Sequence, residues 1–463
     1  MPVASVQSDD FELSGIVTQA HHGKVEDQHE VTMGLDFGTS CVKVVIGDHE
    51  LGQAFAVPLG SGTGIEQYLL PSRLYQTGER FSLTDGAECH RDLKLSLLSD
   101  PDQVALQCRA VAFLALIIRR SRGWLLSTRG GLYRSTQLFW KLAIGLPAAH
   151  HLDSPKTARL FQRIGSAAWA CANAAGDVGL ASVQAALDRA TGEPTDEDDA
   201  EVIALPEIAA QIYGFVVSTS FDVNARNIFL MADIGAGTID ASLFHVKPSR
   251  GGKWDFEFFT SVVEPNGVSN LHRHRVNWWS TALDQSRADA ALTEPLKDAK
   301  FATDQQRAVP ESFRDYFSGI AIQFPKDSKT PDEGFYSSNV LAQVQGRAFW
   351  RAWRNGLLDQ SALTDIPFFL CGGGGRMKFY LELEKSLASV PGLSWLRAEA
   401  WHLGVPEDLD AEGITTEDFD RLSVAYGLSR VDIGNLRKAL PLPKLRETPS
   451  GAWRDNYVSK DAC

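Results

Sequence analysis

The chain has 463 residues, of which 44% are hydrophobic and 22% charged, a balance typical of a globular protein of about two to four domains. Its net charge of −13 argues against a general nucleic-acid-binding protein, which would present a basic surface to the phosphates. The longest apolar run, 111–118, is shorter than the ~20 residues that span a bilayer, and residues 1–30 lack the apolar core of a signal peptide. The six cysteines form no CxxC pair, which is typical of a reducing compartment. We therefore expect a cytoplasmic protein with no membrane insertion.

The first half of the chain is predicted to begin with a flexible arm over residues 1–30, because this segment is polar. Two apolar segments follow, 31–37 (VTMGLDF) and 42–46 (VKVVI), and the short glycine-containing turn between them predicts a β-hairpin. Segment 191–201 is acidic and rich in turn residues, which indicates an exposed loop. The other apolar patterns before residue 220 predict a helix near 102–120, a strand over 138–145 and helices over 155–175 and 202–217.

The second half of the chain repeats the hairpin pattern, with strands over 228–234 (IFLMADI) and 238–246 (TIDASLFHV) around a Gly-Ala-Gly turn. The region 248–335 shows no clear period. Beyond it, the patterns predict a helix over 341–357, a short strand over 367–370 that enters a glycine run, a helix from Arg376 and a helix over 418–429. Three prolines then interrupt a polar tail.

The two predicted hairpins share a chemical arrangement. Each first strand ends at an aspartate, Asp36 or Asp233, and a glycine follows two residues later. Glycine lets backbone amides approach an anion closely, and a nearby Thr or Ser hydroxyl adds a donor. The aspartates cannot bind phosphate directly, but their oxygens can hold Mg2+ through water. Two such hairpins that face each other would clamp a polyphosphate and its metal.

A third glycine-rich segment, 372–375, follows the predicted strand 367–370 and precedes Arg376. Its backbone can lie flat against a purine or a ribose, and the Arg376 guanidinium can stack on the base. The sequences GxxxxGK[ST] and strand–GxGxxG–helix, which mark other nucleotide sites, do not occur in the chain. The three segments together therefore favour a nucleotide site built from two hairpins and one loop.

These motifs resemble those of the heat-shock chaperones of the DnaK type, within the superfamily that also contains actin and the sugar kinases. Segment 34–40 (GLDFGTS) resembles their first phosphate motif, 233–240 (DIGAGTID) their second, and 370–376 (LCGGGGR) their adenosine motif. Segments 206–214 and 424–428 look like their two connecting helices, and 70–72 with 92–95 looks like the part that carries the catalytic lysine. The resemblance covers about residues 31–430.

The resemblance implies an α/β fold with two actin-like lobes, each ribonuclease H-like, around a central nucleotide cleft. The lobes would span 31–220 and 221–430, followed by a tail over 431–463. The implied cofactors are ATP or ADP and Mg2+. Asp36 and Asp233 would hold the metal through water. Ala236 stands where the family usually has glycine.

The resemblance also implies roles for further residues. Lys94 would stabilise charge in the transition state, Glu207 would orient the attacking water, and Asp233 and Thr238 would complete the catalytic set. The phosphates would contact Gly38, Thr39, Ser40, Gly235, Ala236, Gly237 and Thr238. The adenosine would contact Gly372, Gly373, Gly374 and Arg376.

Three functions remain open at this point. The first is a DnaK-like ATPase that acts as a nucleotide-driven switch, read by a partner protein. The second is a filament-forming ATPase of the bacterial actin type, and the third is a small-molecule kinase. Only about 33 residues follow Arg430, too few for the β-sandwich and helical lid of a complete chaperone, so we expect the switch.

Overall fold

The computed structural model describes residues 8–20, 24–190, 200–286, 292, 296, 309–317, 323–430 and 432–441. Its strands are β1 (Asp27–Phe37), β2 (Cys41–Asp48), β3 (Gln53–Ala56), β4 (Leu70–Pro71), β5 (Leu74–Thr77), β6 (Arg80–Ser82), β7 (Glu88–His90), β8 (Thr136–Leu146), β9 (Glu201–Pro206), β10 (Ile228–Ile234), β11 (Ile239–Pro248), β12 (Trp254–Glu264), β13 (Ile366–Cys371), β14 (Ala398–Trp401), β15 (Leu409–Asp410) and β16 (Ile433–Lys438). Its helices are α1 (Ser8–Ser14), α2 (Leu93–Ser99), α3 (Val104–Thr128), α4 (Ala148–Asp153), α5 (Pro155–Asn173), α6 (Leu180–Arg189), α7 (Glu207–Val216), α8 (Val268–Gln285), α9 (Pro331–Phe335), α10 (Tyr336–Trp350, with wide π-type turns), α11 (Arg351–Arg354), α12 (Lys378–Ala388) and α13 (Ser423–Arg430).

The strands form two large mixed sheets and one small sheet. The first sheet has the order β15-β3-β2-β1-β8-β9, with β4 paired to β2, and the second has the order β14-β13-β10-β11-β12-β16. The third contains β6, β5 and β7. The structure is therefore of the mixed α/β class, as the sequence predicts.

The two large sheets repeat one pattern of strand directions. In the first, β1, β2 and β3 form an antiparallel meander, and β8 and β9 continue parallel to β1 on its other side. In the second, β10, β11 and β12 form the meander, and β13 and β14 continue parallel to β10. Both predicted hairpins are confirmed as the first two strands of these meanders.

Helices α7 and α13 pack directly against each other and join the two halves of the chain. A side-chain carbon at Gly427 of α13 would overlap the main-chain oxygen of Ala210 in α7, so the two backbones are in contact. Helix α13 also lies on β1, where a side chain at Gly34 would overlap the oxygen of Ala425. Glycine at these crossings permits an approach that no larger residue allows.

The predicted helix over 202–217 is wrong in its first part. Residues Glu201–Pro206 form strand β9, and helix α7 begins only at Glu207. Exposed or half-buried residues alternate with buried ones along β9, which is the period of a strand. A short apolar run that continues into a helix hides this change of period in the sequence.

The described part of the predicted flexible arm is folded. Helix α1 packs on α3, and the Trp140 indole donates a hydrogen bond of 2.8 Å to the main-chain oxygen of Thr18. The arm also ends earlier than predicted, because β1 starts at Asp27. The prediction of a flexible arm was based on the polar composition of this segment. The segment docks through close backbone contacts, which leave no apolar pattern in the sequence.

Several other predictions can be compared with the structure. The predicted helix over 341–357 belongs to a helical segment that starts earlier, at Pro331, and ends earlier, at Arg354. The start of the predicted tail forms β16, which pairs with β12 of the second sheet. Most of the predicted acidic loop, residues 191–199, lies outside the described residues. The end of the predicted tail, residues 442–463, lies outside them as well. Among the helices described, none has the length and apolarity needed to cross a bilayer.

Candidate functional site

The turns of the two hairpins meet at a cavity of about 600 Å3 between the two large sheets. A side-chain carbon at Gly237 in the second turn would lie 3.5 Å from the Thr39 methyl in the first turn. Most residues predicted from the sequence line this cavity, namely Asp36, Gly38, Thr39, Ser40, Lys94, Glu207, Asp233, Gly235, Ala236, Thr238, Gly372, Gly373 and Gly374. Segments about 330 residues apart in the chain thus meet at one place.

The first turn is held rigidly by its neighbours. The Ser72 hydroxyl donates a hydrogen bond of 2.7 Å to the Gly38 carbonyl oxygen, and the Ser72 amide donates one of 2.9 Å to Ser40. A side chain at Gly38 would overlap the Cys41 carbonyl oxygen, so the turn requires glycine at this point. The predicted segment 70–72 therefore contributes to the site by supporting the turn.

The second turn is held by the start of α8. The main-chain amides of Val268 and Ser269 donate to the carbonyl oxygens of Gly235 and Ala236 at 3.1 and 2.8 Å. The side-chain amide of Asn270 donates to the Gly237 carbonyl oxygen at 2.6 Å. The carbonyl oxygens of the turn are thus engaged by α8. This arrangement favours an anion in the cavity, because it turns the negative ends of these peptide groups toward the helix.

Two buried ion pairs lie in the cavity wall. Lys43 donates to an Asp36 oxygen at 2.6 Å, and Lys94 is paired with Glu207. Burial alone would lower the pKa of Lys43, but the Asp36 carboxylate outweighs it and raises the pKa. Lys94 and Glu207 are only 5% and 8% exposed, so each charge depends on the other. Lys43 therefore keeps its positive charge at the cavity wall.

Lys43 was not among the predicted site residues. Its position could have been found from the hairpin register, since Lys43 on β2 lies directly opposite Asp36 on β1. Cross-strand neighbours lie about 5 Å apart, close enough for an ion pair.

Carboxylates outnumber the lysines at this site. Burial, and then the charge of Glu207, raise the pKa of Asp233 to about 7. Burial likewise raises the pKa of Asp240 to about 8, although Asp240 accepts a hydrogen bond of 2.9 Å from the Ala148 amide. Burial also raises the pKa of Glu207, against the opposing effect of Lys94. Such a group of acids would be stabilised by an added cation.

The third side of the cavity is formed by the loop after β13. Gly372 has a φ of +79°, and a side chain there would overlap an Asp233 oxygen. The Gly374 amide donates a hydrogen bond of 2.9 Å to the Ile234 carbonyl oxygen. The loop thus wraps around the end of β10, and its glycines are required by this close contact.

The structure does not bring Arg376 or Gly237 to the cavity wall. The Arg376 guanidinium pairs with Asp418 and Asp420. Another arginine, Arg421, lines the cavity instead, and a side-chain carbon at Gly373 would lie 3.2 Å from its guanidinium carbon. No motif in the sequence marked Arg421, because its neighbours come from distant parts of the chain.

No known protein family matches the sequence, and no curated protein matches it either. The geometry of the cavity therefore carries the functional argument.

Proposed function

We propose that the protein binds ATP with Mg2+ in this cavity and hydrolyses it. The observation that carries the proposal is the convergence of two aspartate-ended hairpins and a third, glycine-rich loop on one cavity. A volume of about 600 Å3 is within the range of small-molecule sites. Glycine-containing turns with engaged carbonyl oxygens, together with Lys43 and Lys94, provide the setting that a polyphosphate requires.

We further propose that the two halves are actin-like lobes. The repeated pattern of strand directions and the contact between α7 and α13 support this proposal. A nucleotide bound between such lobes would favour a closed arrangement of the lobes. Hydrolysis of the nucleotide would let the lobes open. The protein would then act as a switch, and a partner protein would read the arrangement of the lobes.

The donor set of the cavity fits Mg2+. Asp36 and Asp233 supply oxygen ligands, which a hydrated Mg2+ prefers. Burial, and then the charges of neighbouring carboxylates, raise the pKa values of Asp233 and Asp240. When bound, the metal would neutralise charge on the phosphate oxygens. Asp36 and Asp233 would hold it through water.

The remaining residues would act on the phosphoryl group and the water. Lys94 would stabilise the negative charge that develops on the transferred group, because it is buried and positively charged. Glu207 would orient the attacking water through its carboxylate oxygens. Thr39, Ser40 and Thr238 would donate hydroxyl hydrogen bonds to the phosphates.

The proposal is tested by calorimetric titration of the protein with ATP and Mg2+, together with an assay of phosphate release without an added acceptor. We expect one ATP per chain and measurable release of phosphate. Gly372→Ala should weaken ATP binding at least about tenfold, because the new methyl group would displace Asp233 and strain a positive φ. Gly346→Ala is the matched control, since its surroundings are open and its φ is ordinary.

The outcomes separate the three functions. Wild-type protein that binds no ATP would overturn the proposal, and unchanged binding in Gly372→Ala would overturn the assigned site. Release of phosphate without an acceptor would count against a small-molecule kinase. Sedimentation of the protein only in the presence of ATP would favour a filament over a monomeric switch.

A further inference from the structure

A second group of ligand-type side chains lies at the opposite end of the first hairpin. His29 is near the start of β1 and Asp48 ends β2, whereas Asp36 is near the turn of the hairpin. The seven residues from His29 to Asp36 span roughly 23 Å of strand. The group is thus separate from the nucleotide cavity.

Three side chains in this group converge. A ring nitrogen of His29 and one carboxylate oxygen each from Asp48 and Glu50 all lie within 4.8 Å of one another. His29 Nδ1 is 2.8 Å from Asp48 Oδ2. His29 and Asp48 are buried, and Glu50 is exposed, so the group is open to solvent on one side.

Each of the three side chains is held in place by a second contact. The Leu51 amide donates to Asp48 Oδ1 at 2.9 Å, and the Glu30 amide donates to Glu50 Oε2 at 2.8 Å. The other ring nitrogen of His29 lies 3.3 Å from an oxygen of Asp27. A carboxylate on the far nitrogen of a histidine is the usual support of a metal-bound imidazole, because it fixes the tautomer and the ring orientation.

Tyr133 packs against this group. Its side chain is fully buried, and its ring lies edge-on to His29. Its hydroxyl faces the Asp48 carboxylate.

We propose that His29, Asp48 and Glu50 form a site for a divalent transition-metal ion of the zinc type. An imidazole nitrogen with two carboxylates suits Zn2+ better than Mg2+ or Ca2+, which prefer oxygen ligands alone. The Zn2+ ion takes three protein ligands and completes its coordination with water on the exposed side. The site lies beside the end of α13, since the Arg430 guanidinium donates to the Asp48 main-chain oxygen at 3.0 Å.

The test is a calorimetric titration of chelator-treated, nucleotide-free protein with Zn2+, in the presence of excess Mg2+ to occupy the cavity. We expect one tight Zn2+ equivalent per chain and a rise in the melting temperature. Glu50→Gln should weaken this binding at least about tenfold, because the amide keeps an acceptor for the Glu30 amide but loses the charge. Asp27→Asn should weaken it roughly 10- to 100-fold by releasing the His29 ring.

His49→Gln is the matched control, because His49 is an exposed histidine between Asp48 and Glu50 that is not in the converging group. It should bind Zn2+ as the wild type does. Both test positions are exposed, so these variants should fold, which circular dichroism will check. Absence of a tight Zn2+ equivalent in the wild type would overturn the proposal. So would Zn2+ binding unchanged in Glu50→Gln and Asp27→Asn, which would place the ion at other ligands.

Discussion

At the scale of single residues, the buried pair of Lys94 and Glu207 gives the most direct test of hydrolysis. Lys94→Met should reduce phosphate release at least about 100-fold, because it removes the charge that would stabilise the transition state. ATP binding should weaken much less, since Lys43 and the turns remain. Phosphate release and ATP affinity are measured on the same preparation.

The same substitution leaves Glu207 buried without its partner, which destabilises a protein by roughly 3 to 5 kcal/mol. The double variant Lys94→Met/Glu207→Gln removes the unpaired charge and controls for this effect. It should be more stable than Lys94→Met alone and equally inactive. Normal turnover in Lys94→Met would exclude the role proposed for this lysine.

Asp240 predicts a pH dependence of stability. Its folded pKa of about 8 lies above its ordinary value of 3.8, so between these values the folded state binds more protons than the unfolded state. The stability that Asp240 contributes is present below pH 3.8 and is lost as the pH rises toward 8. We therefore expect Asp240→Asn to gain stability relative to the wild type between pH 5 and 8, by up to roughly 1.4 kcal/mol per pH unit.

This difference is measured by urea unfolding of nucleotide-free protein at several pH values. Asp284→Asn serves as the control, because Asp284 is exposed on α8 and the same substitution there should give no such trend. The comparison isolates Asp240 from the histidines that titrate in the same range. A constant difference between Asp240→Asn and the wild type would contradict the prediction.

At the scale of elements, the docking of α1 on α3 depends on a glycine contact. A side-chain carbon at Gly123 would overlap the Phe11 carbonyl oxygen, and Arg122 donates to the Gly15 oxygen at 2.7 Å. Gly→Ala in a helix normally stabilises by about 1 kcal/mol. Gly123→Ala should instead destabilise the protein by roughly 1 to 3 kcal/mol through overpacking.

Two measurements test whether Gly123→Ala destabilises the protein. Urea unfolding gives the stability, and limited chymotrypsin digestion reports the release of α1, which should become faster in Gly123→Ala. Gly131→Ala is the control, since nothing lies within 4 Å of a side-chain carbon there. If Gly123→Ala is as stable as the wild type and as resistant to digestion, α1 does not depend on this contact.

Elements differ in how far the sequence predicts them. The two hairpins are predictable because their strands are apolar and β-branched and their turns contain glycine, all of which are local features. Strand β9 is not, because it is short and runs directly into α7. The docking of α1 is also hidden, since a contact between two glycines leaves no apolar pattern.

At the scale of the whole molecule, the predictability of the site follows from distance along the chain. Asp36 and Asp233 stand at the ends of local hairpins, so their motifs are visible in the sequence. Arg421 could not be predicted from a motif. It lies close to the Cys41 sulfur at the cavity, but the two residues are 380 positions apart in the chain. Arg376, which follows the glycine run directly, is instead held by acids outside the cavity.

The convergence of the two hairpins on one site leads to a last prediction, about the additivity of substitutions. Asp36→Asn and Asp233→Asn should each weaken Mg-ATP binding at least about tenfold, because each removes a charge that would hold the metal. If both aspartates hold one ion, either substitution already removes most of that interaction. The affinity of the double variant for ATP should then be at most about threefold lower than that of the single variant with the lower affinity.

Calorimetry with ATP at constant Mg2+ completes the double-mutant cycle. A parallel cycle without Mg2+ is the control, and there the coupling between the two positions should shrink, because the shared metal is absent. Asp36→Asn also releases Lys43, so the cycle without Mg2+ measures that contribution separately. Losses in affinity that multiply fully in the presence of Mg2+ would mean that Asp36 and Asp233 act on ATP independently and do not share one ion.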